Sequence, residues 1–217
     1  MTEKDCWRGK GDTVPFQPGR PEYVARFENL GSLFHEMVCC TRCDLARERT
    51  QVVVGVGPST ARVVFIGEAP GREEDRSGRP FVGRAGKLLD RLLASIDLDR
   101  DEIFITNIVA CRPPGNRTPR AGEVRAHAPW LEEQLRLIDP DLIITLGRVA
   151  LNYFIPGARI TELTGVVQDV MHNGRSRLLL PLFHPAAALR RPELVSVLEE
   201  NFAKIPGLLA GLGPPRR

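Results

Sequence analysis

The chain has 217 residues, 42% of them hydrophobic and 26% charged, enough for one two-faced core without a second domain. A formal charge of +3 and a sequence pI near 8.7 permit an anionic polymer as partner without demanding one; the 30 basic residues are mostly arginine, whose planar fork suits phosphate. No stretch reaches the ~20 uninterrupted apolar residues of a membrane span, and Met1-Thr2-Glu3-Lys4-Asp5 opens no signal-peptide core, so a cytoplasmic protein is expected.

Residues 1–30 are polar, carry Pro15, Pro18 and Pro21, and show no sustained period, which predicts a loose arm with Trp7 and Phe16 as anchors. The folded domain is expected over 31–210, followed by a frayed tail, 211–217. Four apolar runs read as strands, at about 62–66, 103–108, 142–146 and 178–183. Ala85, Leu88, Leu89, Leu92, Leu93 and Ile96 repeat at helical spacing between the first two. A second helix is predicted over 121–138, with Val124, His127, Ala128, Leu131, Leu135 and Ile138 on its inward face and Pro140 beyond its end. Gly147 opens a third through Leu151 and Phe154. Val166 to Met171 reads as a strand entering a hairpin at Asn173-Gly174, and Glu193 to Ile205 as a terminal helix. Strands alternating with helices predict an α/β fold: three layers, α/β/α, around a four-stranded, mainly parallel sheet.

Three of the runs end in a polar residue. Glu68 follows Val63-Val64-Phe65-Ile66-Gly67, Asn107 follows Ile103-Phe104-Ile105-Thr106, and His184 follows Pro181-Leu182-Phe183. Open α/β sheets bind ligands outside the carboxyl ends of their strands, so these side chains are presented at one edge. The Asn107 amide can donate to a ring carbonyl and accept from a neighbouring N–H, which matches the pairing edge of uracil and mismatches cytosine. Phe81, set between glycines in Gly78-Arg79-Pro80-Phe81-Val82-Gly83, can stack on such a base, and His184 can donate to its remaining carbonyl. Cys40-Thr41-Arg42-Cys43 places two thiolates on a tight turn, a spacing that suits zinc or an iron–sulfur cluster, and Cys111 lies just past the second strand.

The segments Gly67-Glu68-Ala69-Pro70-Gly71-Arg72-Glu73-Glu74-Asp75, Gly78-Arg79-Pro80-Phe81-Val82-Gly83-Arg84-Ala85-Gly86, Thr106-Asn107, Cys111-Arg112-Pro113-Pro114-Gly115-Asn116-Arg117 and Phe183-His184-Pro185 together resemble the family 4 uracil-DNA glycosylases, the iron–sulfur type. The resemblance covers about 35–210 and implies a uracil-DNA glycosylase-like fold. It also implies an enzyme, acting as a monomer, that hydrolyses the N-glycosidic bond of deoxyuridine in DNA after the nucleotide is flipped out, leaving an abasic site for base excision repair. The uracil contacts it implies fall on Gly67, Glu68, Ala69, Phe81, Asn107 and His184. Among these His184 is expected to stabilise the leaving base and Glu68 to serve the sugar side, with Glu74 and Asp75 as substitutes or, alternatively, a solvated acidic turn. Where family 1 enzymes carry aspartate and tyrosine this chain has Ala69 and Gly71. No Arg-rich insert of the kind that leads to covalent capture of DNA lies between Asn107 and Asn116, so turnover is expected.

The resemblance also implies a 4Fe-4S cluster whose fourth cysteine falls, here, on His127. The expected ligands are therefore Cys40, Cys43, Cys111 and His127, with zinc or no metal as the alternative and Cys6 and Cys39 as spare thiols. Arg112, Arg117, Arg120, Arg190 and Arg191 are candidates for DNA phosphate contacts, and Leu189 for an apolar wedge. A non-catalytic nucleic-acid-binding module with the same fold is the alternative function. The chain lacks both the Gly-Lys-Ser/Thr ending of a phosphate loop and a Gly-x-Gly-x-x-Gly fingerprint.

Overall fold

Strands covered on both faces are apolar throughout, and the computed structural model, which describes residues 27–213, has three of them: β1 (Val63–Gly67), β2 (Phe104–Asn107) and β3 (Leu142–Leu146), with every residue buried. β4 (Gln168–His172) and β5 (Arg175–Leu182) complete a sheet of order β2-β1-β3-β5-β4, parallel except where β4 runs against β5. The expected four strands become five. β4 alternates between half-buried and exposed residues, so no continuous apolar run marks it as part of the sheet. Its hairpin turns as anticipated, with Asn173 and Gly174 at φ +52° and +74°.

The two sides of the pleat separate the core into two clusters. Val64, Ile66, Phe104, Ile143 and Leu179 face α1 (Leu30–Val38) and the long helix over Ala121–Ile138. Val63, Phe65, Ile105, Ile144, Leu180 and Leu182 face the helix Arg84–Ala94 and the helix Glu193–Phe202. In chain order the helices are α1, α2 (Arg72–Ser77), α3 (Arg84–Ala94), α4 (Ala121–Ile138), α5 (Arg148–Phe154), α6 (Ile160–Leu163), α7 (Pro185–Ala188), α8 (Glu193–Phe202) and α9 (Ile205–Gly211). The single terminal helix expected over 193–205 ends at Phe202 and a new one starts at Ile205. Pro206 carries no N–H and is tolerated only in a first turn, which explains the break.

Helix α1, like α2, α6 and α7, is absent from the expected elements. Asn29 caps it, accepting from Ser32 N at 3.0 Å, and Leu30, Leu33, Phe34 and Met37 then recur at i, i+3, i+4 and i+7 into the core. Phe27, within the expected arm, donates its N–H to Glu133 at 2.7 Å and sets its ring 6.3 Å from Trp130. Trp7 and Phe16 lie outside the described residues. β2 is flanked on its outer side by Val56, which exchanges two backbone hydrogen bonds with Ile105 at 2.9 and 2.8 Å.

Candidate active site

The chain enters the sheet at β1, moves to β2 on one side, then crosses to β3 on the other, so a crevice opens outside the carboxyl ends of β1 to β3. A cavity of about 480 Å³ lies there, and Glu68, Ala69, Phe81, Asn107 and His184 all line it. Gly67 stands behind them: a side chain at that position would collide with the Asn107 amide oxygen and the Phe81 ring, so only hydrogen allows the three to meet. Backbone bonds from Ile108 N to Gly67 O (2.9 Å) and from Val109 N to Glu68 O (3.1 Å) keep the exits of β1 and β2 in register.

His184 caps α7 through its side chain: Nδ1 accepts the N–H of Ala186 at 3.0 Å. That bond requires Nδ1 to be unprotonated, so the neutral ring carries its hydrogen on Nε2. Burial, helped by the nearby Arg190 and opposed by Glu74, depresses the imidazole pKa to about 4. The ring is therefore a neutral donor at physiological pH. It stacks on Phe81 with centroids 5.6 Å apart and planes at 23°.

Half-buried Glu68 has its carboxyl raised above the usual range by burial, against the lowering influence of the Thr118 hydroxyl and of Arg148. Neither of these two neighbours was singled out from the sequence. Thr118 lies one position past a named arginine, and Arg148 opens α5 just after β3, so position at the sheet edge was the available signal.

The acidic turn is not solvated. Glu74 accepts from the amides of Gly71, Val82 and Gly83 at 3.1, 3.0 and 2.8 Å, tying the β1 exit loop to the Phe81 loop. Asp75 is buried and bound to Thr50 through N (2.9 Å) and Oγ1 (2.7 Å). Glu74 reaches the cavity wall, and Asp75 is not part of it.

Arg117, Arg190 and Leu189 also line the cavity, together with Asn116. Arg117 is engaged by a two-pronged pair with Glu123, at 2.8 and 2.6 Å, and Arg112 holds Asn116 at 2.7 Å, so this loop is braced. Arg112, Arg120 and Arg191 lie outside the lining.

Cys40, Cys43 and Cys111 are free thiols packed around α4. Trp130 Nε1 donates to Cys40 Sγ at 3.2 Å and Arg49 to Cys111 Sγ at 3.2 Å; His127 Nδ1 lies 4.0 Å from Cys43 Sγ. These four do not close into a compact set as expected: among the described residues no three His, Cys, Asp or Glu side chains converge on one metal-ion position. His127 Nδ1 faces the Glu123 carbonyl of its own helix at 2.9 Å. The chemistry of the donors nevertheless fits a thiolate-bound cluster. With Nδ1 protonated toward that carbonyl, His127 Nε2 is a buried lone pair with no hydrogen-bond partner, in a ring that burial keeps neutral. Burial pushes the Cys111 thiol up to about 11 and raises Cys43, a desolvation cost that a bound cation would offset. Cys39 is disulfide-bonded, which withdraws it from the spare thiols, and Cys6 lies outside the described residues.

The family description "Uracil DNA glycosylase superfamily" matches residues 54–205. A type-4 uracil-DNA glycosylase of Archaeoglobus fulgidus is 42% identical over 87% of this chain and 96% of its own length, and one of Thermotoga maritima is 44% identical over 76% and 86%. A DNA polymerase of Bacillus phage SP01 is 30% identical over 74% of this chain, which covers 17% of that protein. With a family match across most of the sheet and relatives similar over nearly their whole length, the chain belongs to the uracil-DNA glycosylase superfamily, among its type-4 enzymes.

Proposed function

We propose that the protein is a uracil-DNA glycosylase: it hydrolyses the N-glycosidic bond of deoxyuridine in DNA, releasing uracil and leaving an abasic site for base excision repair. The observation that carries this reading is the meeting of an aromatic ring, an amide, a carboxyl and a neutral imidazole with its hydrogen on Nε2 in one crevice. DNA is the substrate, the base being extruded into the crevice.

In this reading Phe81 stacks on the uracil ring while Asn107 reads its pairing edge, and the backbone around Gly67, Glu68 and Ala69 closes the remaining side. As the glycosidic bond breaks, negative charge develops on the base and positive charge on the sugar. The His184 Nε2–H meets the first at a base carbonyl oxygen. A neutral donor gives up no proton, and removing a donor of this kind typically slows reaction ~10²–10³-fold. Glu68 serves the second, as a carboxylate that stabilises the oxocarbenium-like sugar or orients the attacking water.

An iron–sulfur cluster is consistent with this family. We assign its ligands to Cys40, Cys43, Cys111 and His127 Nε2; when bound, a 4Fe-4S cluster would link the segment after α1 to the loop that bears Arg112 and Arg117. The protein is taken to act as a cytoplasmic monomer, with residues 31–210 as the working domain. Among the described residues no helix is long and apolar enough to cross a membrane. The deciding experiment is release of free uracil from a uracil-containing oligonucleotide by the purified protein. Binding of that oligonucleotide without release would favour the non-catalytic module instead.

A further inference from the structure

Phe81 is an aromatic residue with φ +53°, in the left-handed region that bulky L side chains avoid. Its conformation must be held by its surroundings, and three restraints are visible. Glu74 binds the amides of Val82 and Gly83 that follow it. The Phe81 carbonyl lies so close to Gly86 that a side chain there would overlap it. The third restraint is Arg100, whose Nη2 donates to the Pro80 carbonyl at 2.8 Å and to the Phe81 carbonyl at 3.1 Å.

Arg100 is itself fixed from both sides. Its Nη1 bonds the carboxylate of Asp90 on α3. Its backbone belongs to a short turn, Arg100–Glu102, closed by Asp101 N on Asp99 Oδ1 and by Asp99 N on Glu102 Oε2, both at 3.0 Å. Arg100 does not line the cavity.

We propose that Arg100, braced by Asp90, is a positioning residue for base recognition: it locks the Phe81 peptide in its left-handed state and so holds the stacking ring over the crevice. The guanidinium fork suits the task, because one nitrogen serves two successive carbonyls while another stays on Asp90, which a lysine ammonium cannot reproduce with the same geometry. Without it, two partly buried carbonyls lose their donor, and the left-handed Phe81 is held only by Glu74 on the Val82 and Gly83 amides and by the close approach of Gly86. The population with Phe81 at negative φ then rises, and in that population its ring leaves the stack with His184. The loss falls on binding of the base, because Arg100 reaches neither Glu68 nor His184 among its hydrogen bonds. This inference rests on the uracil-releasing function proposed above.

The test is a double-mutant cycle in the full-length protein, read by calorimetric binding of free uracil and by single-turnover excision at varied enzyme concentration. Arg100→Gln is expected to weaken uracil binding about tenfold, within the range that one aromatic stack supplies. The half-saturating concentration should rise more than the limiting rate falls. Arg100→Lys should be intermediate. Phe81→Ala should lose at least as much as Arg100→Gln, and the double variant no more than Phe81→Ala alone. Additive losses, or uracil binding by Arg100→Gln within about twofold of wild type, would overturn the assignment. Should Arg100→Gln fail to fold, Asp90→Asn, which leaves the arginine but removes its brace, enters the same cycle; it is expected to weaken uracil binding only in the presence of Phe81, and equal loss in both backgrounds overturns the idea. A wild-type protein that binds uracil but releases none would instead indict the proposed function.

Discussion

The crevice at the sheet edge and the thiol-lined region beneath α4 contrast in how their residues are gathered. In the crevice, each polar side chain leaves the end of a strand whose register is set by hydrogen bonds across the sheet, and these side chains line one cavity. Around α4 the donors come from a turn, a loop and a helix that no ladder connects. Three sulfurs and an imidazole lie near one another without forming a ligand shell. A sheet organises its edge through backbone geometry, whereas donors carried on irregular segments have no shared ladder to set their spacing.

The largest expected effect breaks the crevice without disturbing the fold. His184→Ala or Asn107→Ala should slow single-turnover uracil excision by about 10²–10³-fold, with a melting temperature within a few degrees of wild type. Wild-type rates in either variant would remove the residue from the chemistry. Next, the thiol region should respond in the opposite sense. Cys111→Ala, or exhaustive chelation of iron, is expected to abolish visible absorbance and to lower the melting temperature by about 5 °C or more, because the two segments lose their link. Colour and stability that survive the substitution would remove Cys111 from the ligand set, and a colourless wild-type protein as purified would argue against a cluster.

The third prediction concerns pH. In the proposed mechanism Glu68 works as a carboxylate, and burial raises its pKa, so the acid limb of excision should lie above the usual 4.5 and disappear as a distinct limb in Glu68→Gln, whose residual rate stays flat there. His184 adds a stability effect. Its folded-state pKa of about 4 lies below the ordinary 6.5, so between these values the unfolded chain binds the extra proton and stability falls as pH drops from 6.5 toward 4. Denaturation across this window should show a shallower pH dependence in His184→Asn than in wild type. The smallest effect is at the rim: Arg190→Gln should weaken DNA binding uniformly across sequences and reduce the slope of log K against log salt by about one.

The crevice was legible in the sequence because its residues end apolar runs, a pattern that strand geometry translates directly into proximity. Glu68, Asn107 and His184 needed nothing more than the positions of β1, β2 and β5. The brace around Phe81 was not legible, since Arg100 and Glu74 act on backbone atoms of residues that no periodicity pairs with them. The strand Gln168–His172 was seen but not counted in the sheet, because its polar alternation describes an edge as well as it describes a free hairpin. Helix α1 hid in a segment dominated by the prolines before it, although Asn29 and the spacing of Leu30, Leu33 and Met37 are sufficient to mark it. His127 was read as inward-facing, and it is buried; which of its nitrogens is committed to Glu123 depends on the helix backbone and lay beyond any sequence pattern.

The short pairing of Val56 with Ile105 has a consequence for self-association. It occupies the Ile105 N–H and carbonyl that β2 would otherwise present along the sheet margin, so a foreign strand cannot pair at Ile105 without first displacing Val56. The other edge of the sheet is β4. There Gln168 and Asp169 interrupt the hydrophobic run that a cross-β stack requires, and Met171 is left as its most exposed apolar side chain.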